Sequence, residues 1–432
     1  MNTCVRQYRL VVISIVILYL AGAALAANPI LTLSGSEAKP LAAPRVAYNT
    51  IDGLYLTVFE FHYGVTDWDI DGRLVDPNGQ LVGEGLAIAW HGSIVQQEPD
   101  VAYNPVTNQF LVVYALAPDN WKISACIVEG DGTAGSFVPI ATSTFKEYHP
   151  EVACDPTTGD YLVVYERELQ LDSTVWREVW AQRVNDDGTL IGDPYQLSNP
   201  SLHSYQCAVS CAGGQFLVVW REQQTSGKGR ILGRIIQSWY PSKTTIVVAS
   251  AKDSSSPKVA YNPTRAEYLV VYQTRTSSTA RWLLEDTRIS TLGDLKGTHT
   301  ITKATATDEH CQAPDVACDW ANGQYIVTWA QGPAVASPSL ASHQIWAQRV
   351  DGGGEPLDSP IPVSDQGKDQ PVYLGIPAPA IAAGFCGKSL IVWEDQRQVI
   401  DPDGSSTTIY SILGAHGTWG SSCGVPDCNS VD

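Results

Sequence analysis

Pro150-Glu151-Val152-Ala153-Cys154-Asp155-Pro156-Thr157-Thr158-Gly159-Asp160-Tyr161-Leu162-Val163-Val164-Tyr165 is one copy of a pattern that fills most of this 432-residue chain. The pattern is Pro-x-Val-Ala-Tyr/Cys-Asn/Asp, a turn, and then Tyr/Phe-Leu-Val-Val-Tyr/Trp. Further copies begin near Pro44, Pro99, Tyr205, Pro257, Pro314 and Pro379, so adjacent copies start 51 to 65 residues apart. The second segments align without gaps at 55–59, 110–114, 161–165, 216–220, 268–272, 325–329 and 389–393, each ending on an aromatic residue. Apolar runs this short, without polar alternation, predict strands buried on both faces. Asn104-Pro105, Asp155-Pro156 and Asn262-Pro263 lead the intervening turns, where Asx bonds its own backbone and proline presets φ.

A third strand follows at 179–184 and 345–350, both containing Trp-Ala-Gln-Arg-Val, and a Gly-rich turn such as Asp186-Asp187-Gly188 leads into a fourth. Repeats near fifty residues built only of strand and turn predict an all-β, seven-bladed β-propeller of four-stranded antiparallel blades. The last repeat is one strand short, while Ile30-Leu31-Thr32-Leu33-Ser34 precedes any first strand and resembles the fourth strand at 195–198. The N-terminal strand is therefore expected to complete the last blade and leave no open edge.

Arg6 and Arg9, an apolar run over 10–20 and Ala24-Leu25-Ala26 have the layout of a cleaved secretory signal over residues 1–26. The run is about half of the roughly 20 residues a membrane span needs. A secreted or periplasmic protein without membrane insertion is expected, with the propeller over 27–416 and a Cys-containing tail over 417–432. Losing Arg6 and Arg9 takes the formal charge from −18 to −20, a field that opposes nucleic acid and anionic lipid. A monomer is expected. Nine of ten cysteines follow the signal, so at least one thiol stays unpaired or bonds another chain. Cys207 and Cys211 lie about 13 Å apart on an extended strand, beyond the roughly 7 Å limit of a disulfide. Cys423 and Cys428, separated by Gly424 and Pro426, are the expected bridge.

Several short motifs carry less than they suggest. Asp67-Trp68-Asp69-Ile70-Asp71-Gly72 opens like a calcium loop, but it aligns with a third strand, where alternate side chains diverge. Gly420-Ser421-Ser422-Cys423-Gly424 fits the nucleophile-elbow spacing without the helix that motif requires. Gly387-Lys388-Ser389 lacks the upstream glycine of a phosphate loop. No metal and no cofactor is expected. The turns 76–79 and 186–189 sit where sialidase-like propellers carry an Asp-box, without its spacing. Tyr-Leu-Val-Val-Trp with Trp-Ala-Gln-Arg-Val-x-x-x-Gly resembles a broad group of secreted bacterial propeller-repeat proteins over residues 29–416, which implies fold and leaves chemistry open.

Loops between blades and loops between second and third strands share one rim. The first set holds Trp90, His91, His149, His203 and His310. The second holds Glu60, Glu166, Glu222 and Glu394, each close behind a strand-ending aromatic, together with Trp121 and Arg275. Aromatic rings beside carboxylates and guanidinium groups suit sugars, which offer an apolar face and a rim of hydroxyls. These residues are the candidate binding surface for a glycan or protein ligand. No coupled nucleophile and base can be named, so recognition is expected over catalysis. The alternative is a polysaccharide hydrolase or lyase using paired carboxylates on the same rim.

Overall fold

The computed structural model describes residues 30–37, 39–90, 94–117, 121–171, 174–237, 240–302, 309–333, 343–364, 378–400 and 406–418. The signal, His91 and the Cys423–Cys428 pair lie outside them. The described elements are strands apart from one short 3-10 turn at Phe385–Gly387. They form six sheets. Four of these cover 146–196, 204–249, 253–300 and 309–362 in chain order, each an antiparallel meander. The eight-stranded sheet holds two such meanders, 41–89 and 95–141, tied by one parallel bridge between Trp68 and Val95. Both residues start strands at the same rim, so a single pairing fuses what the repeats predict as separate sheets.

The remaining sheet joins Ala380–Ala383, Lys388–Ile400 and Ser406–Thr418 to the chain's first strand, Ile30–Glu37. Ile30 pairs with Ala415 and Glu37 with Ile409, antiparallel. Leu33 is 2% exposed there, packed among Tyr55, Leu390 and Ile412.

Two-sided burial of the second strands explains their composition. Phe110, Val112 and Tyr114 pack with Leu56 and Val58 of the preceding meander. Leu111, Val113 and Ala115 point the other way, to Tyr161 and Val163 of the next. Each fully buried side chain of this size contributes roughly 1.5–3 kcal/mol. Apolar cores of this kind fill the space between each pair of consecutive meanders, and the one around Leu33 joins the last meander to the first. The first strands follow the same order, with Ala380–Ala383 touching both Glu309–Asp319 and Leu41–Asn49.

Pro44, Pro99, Pro150, Pro257 and Pro314 lie inside the first strands where the pairing breaks, and Pro379 immediately precedes its strand. Pairing skips two residues at Ala42/Arg45, Gln97/Asp100, Tyr148/Glu151, Tyr205/Ala208, Ser255/Lys258 and Gln312/Asp315. The second skipped residue is proline or Cys207, and a bulge is where a missing N–H costs no ladder bond. The first has φ between 47 and 57°, the left-handed region, at Ala43, Glu98, His149, Gln206, Ser256 and Ala313.

At the opposite rim the turn residues Asn49, Asn104, Asp155, Asn262 and Asp319 are buried. Asn104 accepts the Val106 N–H at 2.9 Å and donates to the Gly159 carbonyl of the next meander at 2.9 Å. Asn262 repeats this with Thr264 and Gly323.

Candidate functional site

Six left-handed bulge residues would cost roughly 1–3 kcal/mol each if left unsupported. Each has its N–H accepted by a side chain of the preceding meander. Glu60 takes Glu98 at 2.7 Å, Glu98 takes His149 at 2.7 Å and Glu166 takes Gln206 at 2.7 Å. Gln206 takes Ser256 at 3.0 Å, Gln273 takes Ala313 at 2.9 Å and Glu394 takes Ala43 at 3.4 Å. Glu60, Glu166, Gln273 and Glu394 all directly follow the aromatic of the repeated segment and lie inside the second strands, not in loops beyond them as expected, so the glutamates that stood out in the repeats are latches between neighbouring meanders. Burial and then the nearby Glu60 push the Glu394 carboxyl up to about 7 against the Ala43 hydrogen bond.

Other candidates are also engaged within the chain. Glu222 is buried and accepts Arg230 Nε at 2.7 Å. Arg275 donates to Asp253 at 2.9 Å and lies 4.2 Å over the Trp282 ring. His203 Nδ1 accepts the Arg177 N–H at 2.9 Å, and His310 Nδ1 accepts the Trp282 N–H at 3.4 Å. Both roles need a neutral ring, and both pKa values are lowered by burial, then by Arg177 beside His203 and Arg275 beside His310. Trp121 packs half-buried on Tyr148, 4.5 Å between centroids. Two candidates do face solvent. Trp90 is 73% exposed, and the half-exposed His149 ring meets Glu98 at 3.1 Å. Asp67–Val75 is a strand, as its alignment predicts. Cys207 and Cys211 are free thiols.

One residue past each repeat proline, and past Cys207 in the fourth meander, the first strands place a ring that reading the loops overlooks: Arg45, Asp100, Glu151, Ala208, Lys258, Asp315 and Ala380. Three carboxyls and two cations meet there. Arg45 Nε lies 3.9 Å from Asp100. Lys258 reaches past the position of Ala208 to pair with Glu151, two meanders away. The Asp100 carboxylate accepts the Val152 N–H at 2.8 Å, and Asp315 accepts Ile381 at 2.9 Å, each again from the next meander. Burial and the neighbouring Glu151 push Asp100 up to about 7. Burial also raises Asp315, with Lys258 opposing. Burial pulls the Lys258 ammonium down most strongly, but Glu151, Asp315 and Asp100 together outweigh it and hold Lys258 above its ordinary range. With one carboxyl more than the cations, the ring retains a proton toward neutral pH.

A cavity of about 480 Å³ lies over this ring, with walls from the first-strand region of every meander. Glu151, Lys258, Asp315 and Arg45 line it, together with His149 and Tyr205. An alignment of the repeats holds the signal for this site: within Pro-x-Val-Ala the x position alone swings between acid, base and alanine.

No family model and no curated protein matches the chain. Among solved structures it is similar to an α-L-arabinanase from Penicillium chrysogenum in complex with arabinobiose, at 13% identity, covering 89% of this chain and 98% of that one, TM-score 0.47. It is similar to a thermostable family-43 glycoside hydrolase at 14% identity, covering 62% and 96%, TM-score 0.39. An apocarotenoid oxygenase from Synechocystis follows at 13% identity, covering 62% and 63%, TM-score 0.42. The expectation that recognition outranks catalysis rested on there being no acid and base to name, and it is corrected here: the described loops offer no such pair, but the first strands bring the Glu151 and Asp315 carboxyls to one cavity. The likenesses bear on the fold and leave substrate and residue roles to the cavity itself.

Proposed function

We propose that this chain is a polysaccharide-active hydrolase or lyase whose site is the axial cavity of a seven-bladed propeller. In this reading the two halves of the eight-stranded sheet are separate blades, and the strand at 30–37 completes the seventh. A cleaved signal over 1–26 exports a monomer. The observation that carries the activity is the axial ring, in which a raised carboxyl and a second carboxylate share a cavity with two cations. Acid–base work on a glycosidic bond needs one carboxyl that still holds its proton near working pH and another that does not.

Asp315 lines the cavity with a carboxyl raised by burial and is assigned as the acid that protonates the leaving glycosidic oxygen. Glu151, on the same cavity and paired with Lys258, is assigned as the base that takes a proton from water or from the sugar. The Tyr205 and His149 rings on the lining offer apolar faces beside polar groups, the combination a sugar ring uses. Glu60, Glu166 and Glu394 keep the blades in register around this site.

Reducing-end release from a panel of plant and microbial polysaccharides tests the assignment. Asp315→Asn and Glu151→Gln should each lower turnover by about 10²–10⁴-fold with the fold intact. A panel without any depolymerisation, or full turnover in both variants, rejects it.

A further inference from the structure

The geometry points to a second ligand site, a cleft between the first two meanders that holds a neutral sugar ring against Trp90 and Gln96. The cleft has a volume of about 410 Å³, within the roughly 300–1,000 Å³ range of small-molecule sites. It shares no lining residue with the axial cavity and does not depend on the activity assigned there. Its flanks are Trp90 and Phe137, 73% and 55% exposed, two large aromatic side chains left in water beside an otherwise apolar wall of Ile88 and Leu116.

Gln96 sets the chemistry. It is 1% exposed and lines the cleft, and its Nε2 donates to the Ile94 carbonyl at 3.2 Å. Its Oε1 is buried with no hydrogen-bond partner among the described residues. A buried acceptor without a donor is costly, and a ligand hydroxyl would relieve it. A wholly apolar occupant would leave Oε1 orphaned. A charged occupant would find no counter-charge, because among the described residues the lining holds no carboxyl and no basic side chain, only the Cys126 thiol and the Tyr114 phenol, both held neutral by burial. A neutral ring with a C–H face for Trp90 and a hydroxyl for Gln96 meets both demands. Trp90 follows the fourth strand Leu81–Ala89 at the same rim as the bulge residues, so a glycan held here extends over the face on which the axial cavity opens.

Calorimetric titration with arabinobiose, xylobiose, cellobiose and mannobiose tests the site, using the Glu151→Gln/Asp315→Asn chain so that turnover cannot consume the probe. At least one disaccharide should bind, Trp90→Ala in that background should weaken it about tenfold or more, and Gln96→Leu should do the same. Gln96→Leu should also leave the melting temperature equal or higher, because it removes an orphaned acceptor; a purely structural glutamine would lower it and spare binding. Absence of binding by all four probes overturns the site, as does affinity that survives both substitutions. An apolar peptide binding at Trp90 in place of every sugar overturns it too. Loss of the axial activity alone leaves these outcomes unchanged, so the two assignments fail separately.

Discussion

Glu98 Oε2 accepts the backbone N–H of His149 at 2.7 Å while its other oxygen sits 3.1 Å from His149 Nδ1. One carboxylate thus secures both a left-handed backbone and the imidazole above it. Burial lowers the His149 pKa, but the Glu98 hydrogen bond and then Glu166 outweigh it, and the net shift is upward. A raised histidine contributes stability that is complete below the ordinary 6.5 and lost as pH climbs through the folded value. The His149 ring followed by NMR should therefore titrate above 6.5 in the native chain and fall toward it in Glu98→Gln. Identical titration in the two proteins would contradict the clamp.

Asp100 carries the opposite chemical type with the same sign. Its folded carboxyl stands at about 7 against an ordinary 3.8, so its contribution is complete below 3.8 and is withdrawn as pH rises to 7. Asp100→Asn, which retains an oxygen for the Val152 N–H, should be more stable than the native chain at pH 8 by on the order of 1 kcal/mol and level with it at pH 4. Denaturation at the two pH values measures this, and a variant weaker at pH 8 would refute it.

The buried Asx residues of the opposite rim make a plainer case. Asn104→Ala should cost about 1–3 kcal/mol, since it orphans both the Val106 N–H and the Gly159 carbonyl. Val106→Ala, at an exposed turn position, should stay within about 0.5 kcal/mol. Equal urea midpoints for both variants would remove the turn from the inter-meander contacts.

Leu33 tests the seam between the chain's two ends. Leu33→Ala opens a cavity beside Leu390 and Ile412 and should cost roughly 2–5 kcal/mol. Deleting residues 30–37 should cost more, because it also strips the pairing partners from Ser406–Thr418. An unchanged melting temperature in the deletion would show that the seam bears no weight.

The strand framework was legible because the fold imposes one composition on every second strand: buried on both faces, it must be apolar at every position. Pairing of the orphan segment 30–37 was legible for a related reason, since the last repeat lacks a strand that this segment can supply. The site was less so. Polar residues next to strand ends read as exposed, yet Glu60, Glu166 and Glu394 recur at one repeat position because every left-handed bulge needs an acceptor. Recurrence at a fixed position marked a mechanical role. The axial residues had the reverse signature, variable charge inside an otherwise uniform stretch, and only the circular arrangement brings Lys258 to Glu151 across 107 residues of sequence.

The pairing of Ile30–Glu37 with Ser406–Thr418 also bears on assembly. During synthesis the first of these strands emerges long before the second, and a pairing between segments so distant in sequence is of the kind that forms slowly. A nascent chain halted before residue 406 is an open arc, with Leu41 and Tyr55 at one raw flank and the apolar side of Leu390 at the other. Such flanks are what chaperones and proteases bind. The seam can therefore form only in chains whose translation has run past residue 406.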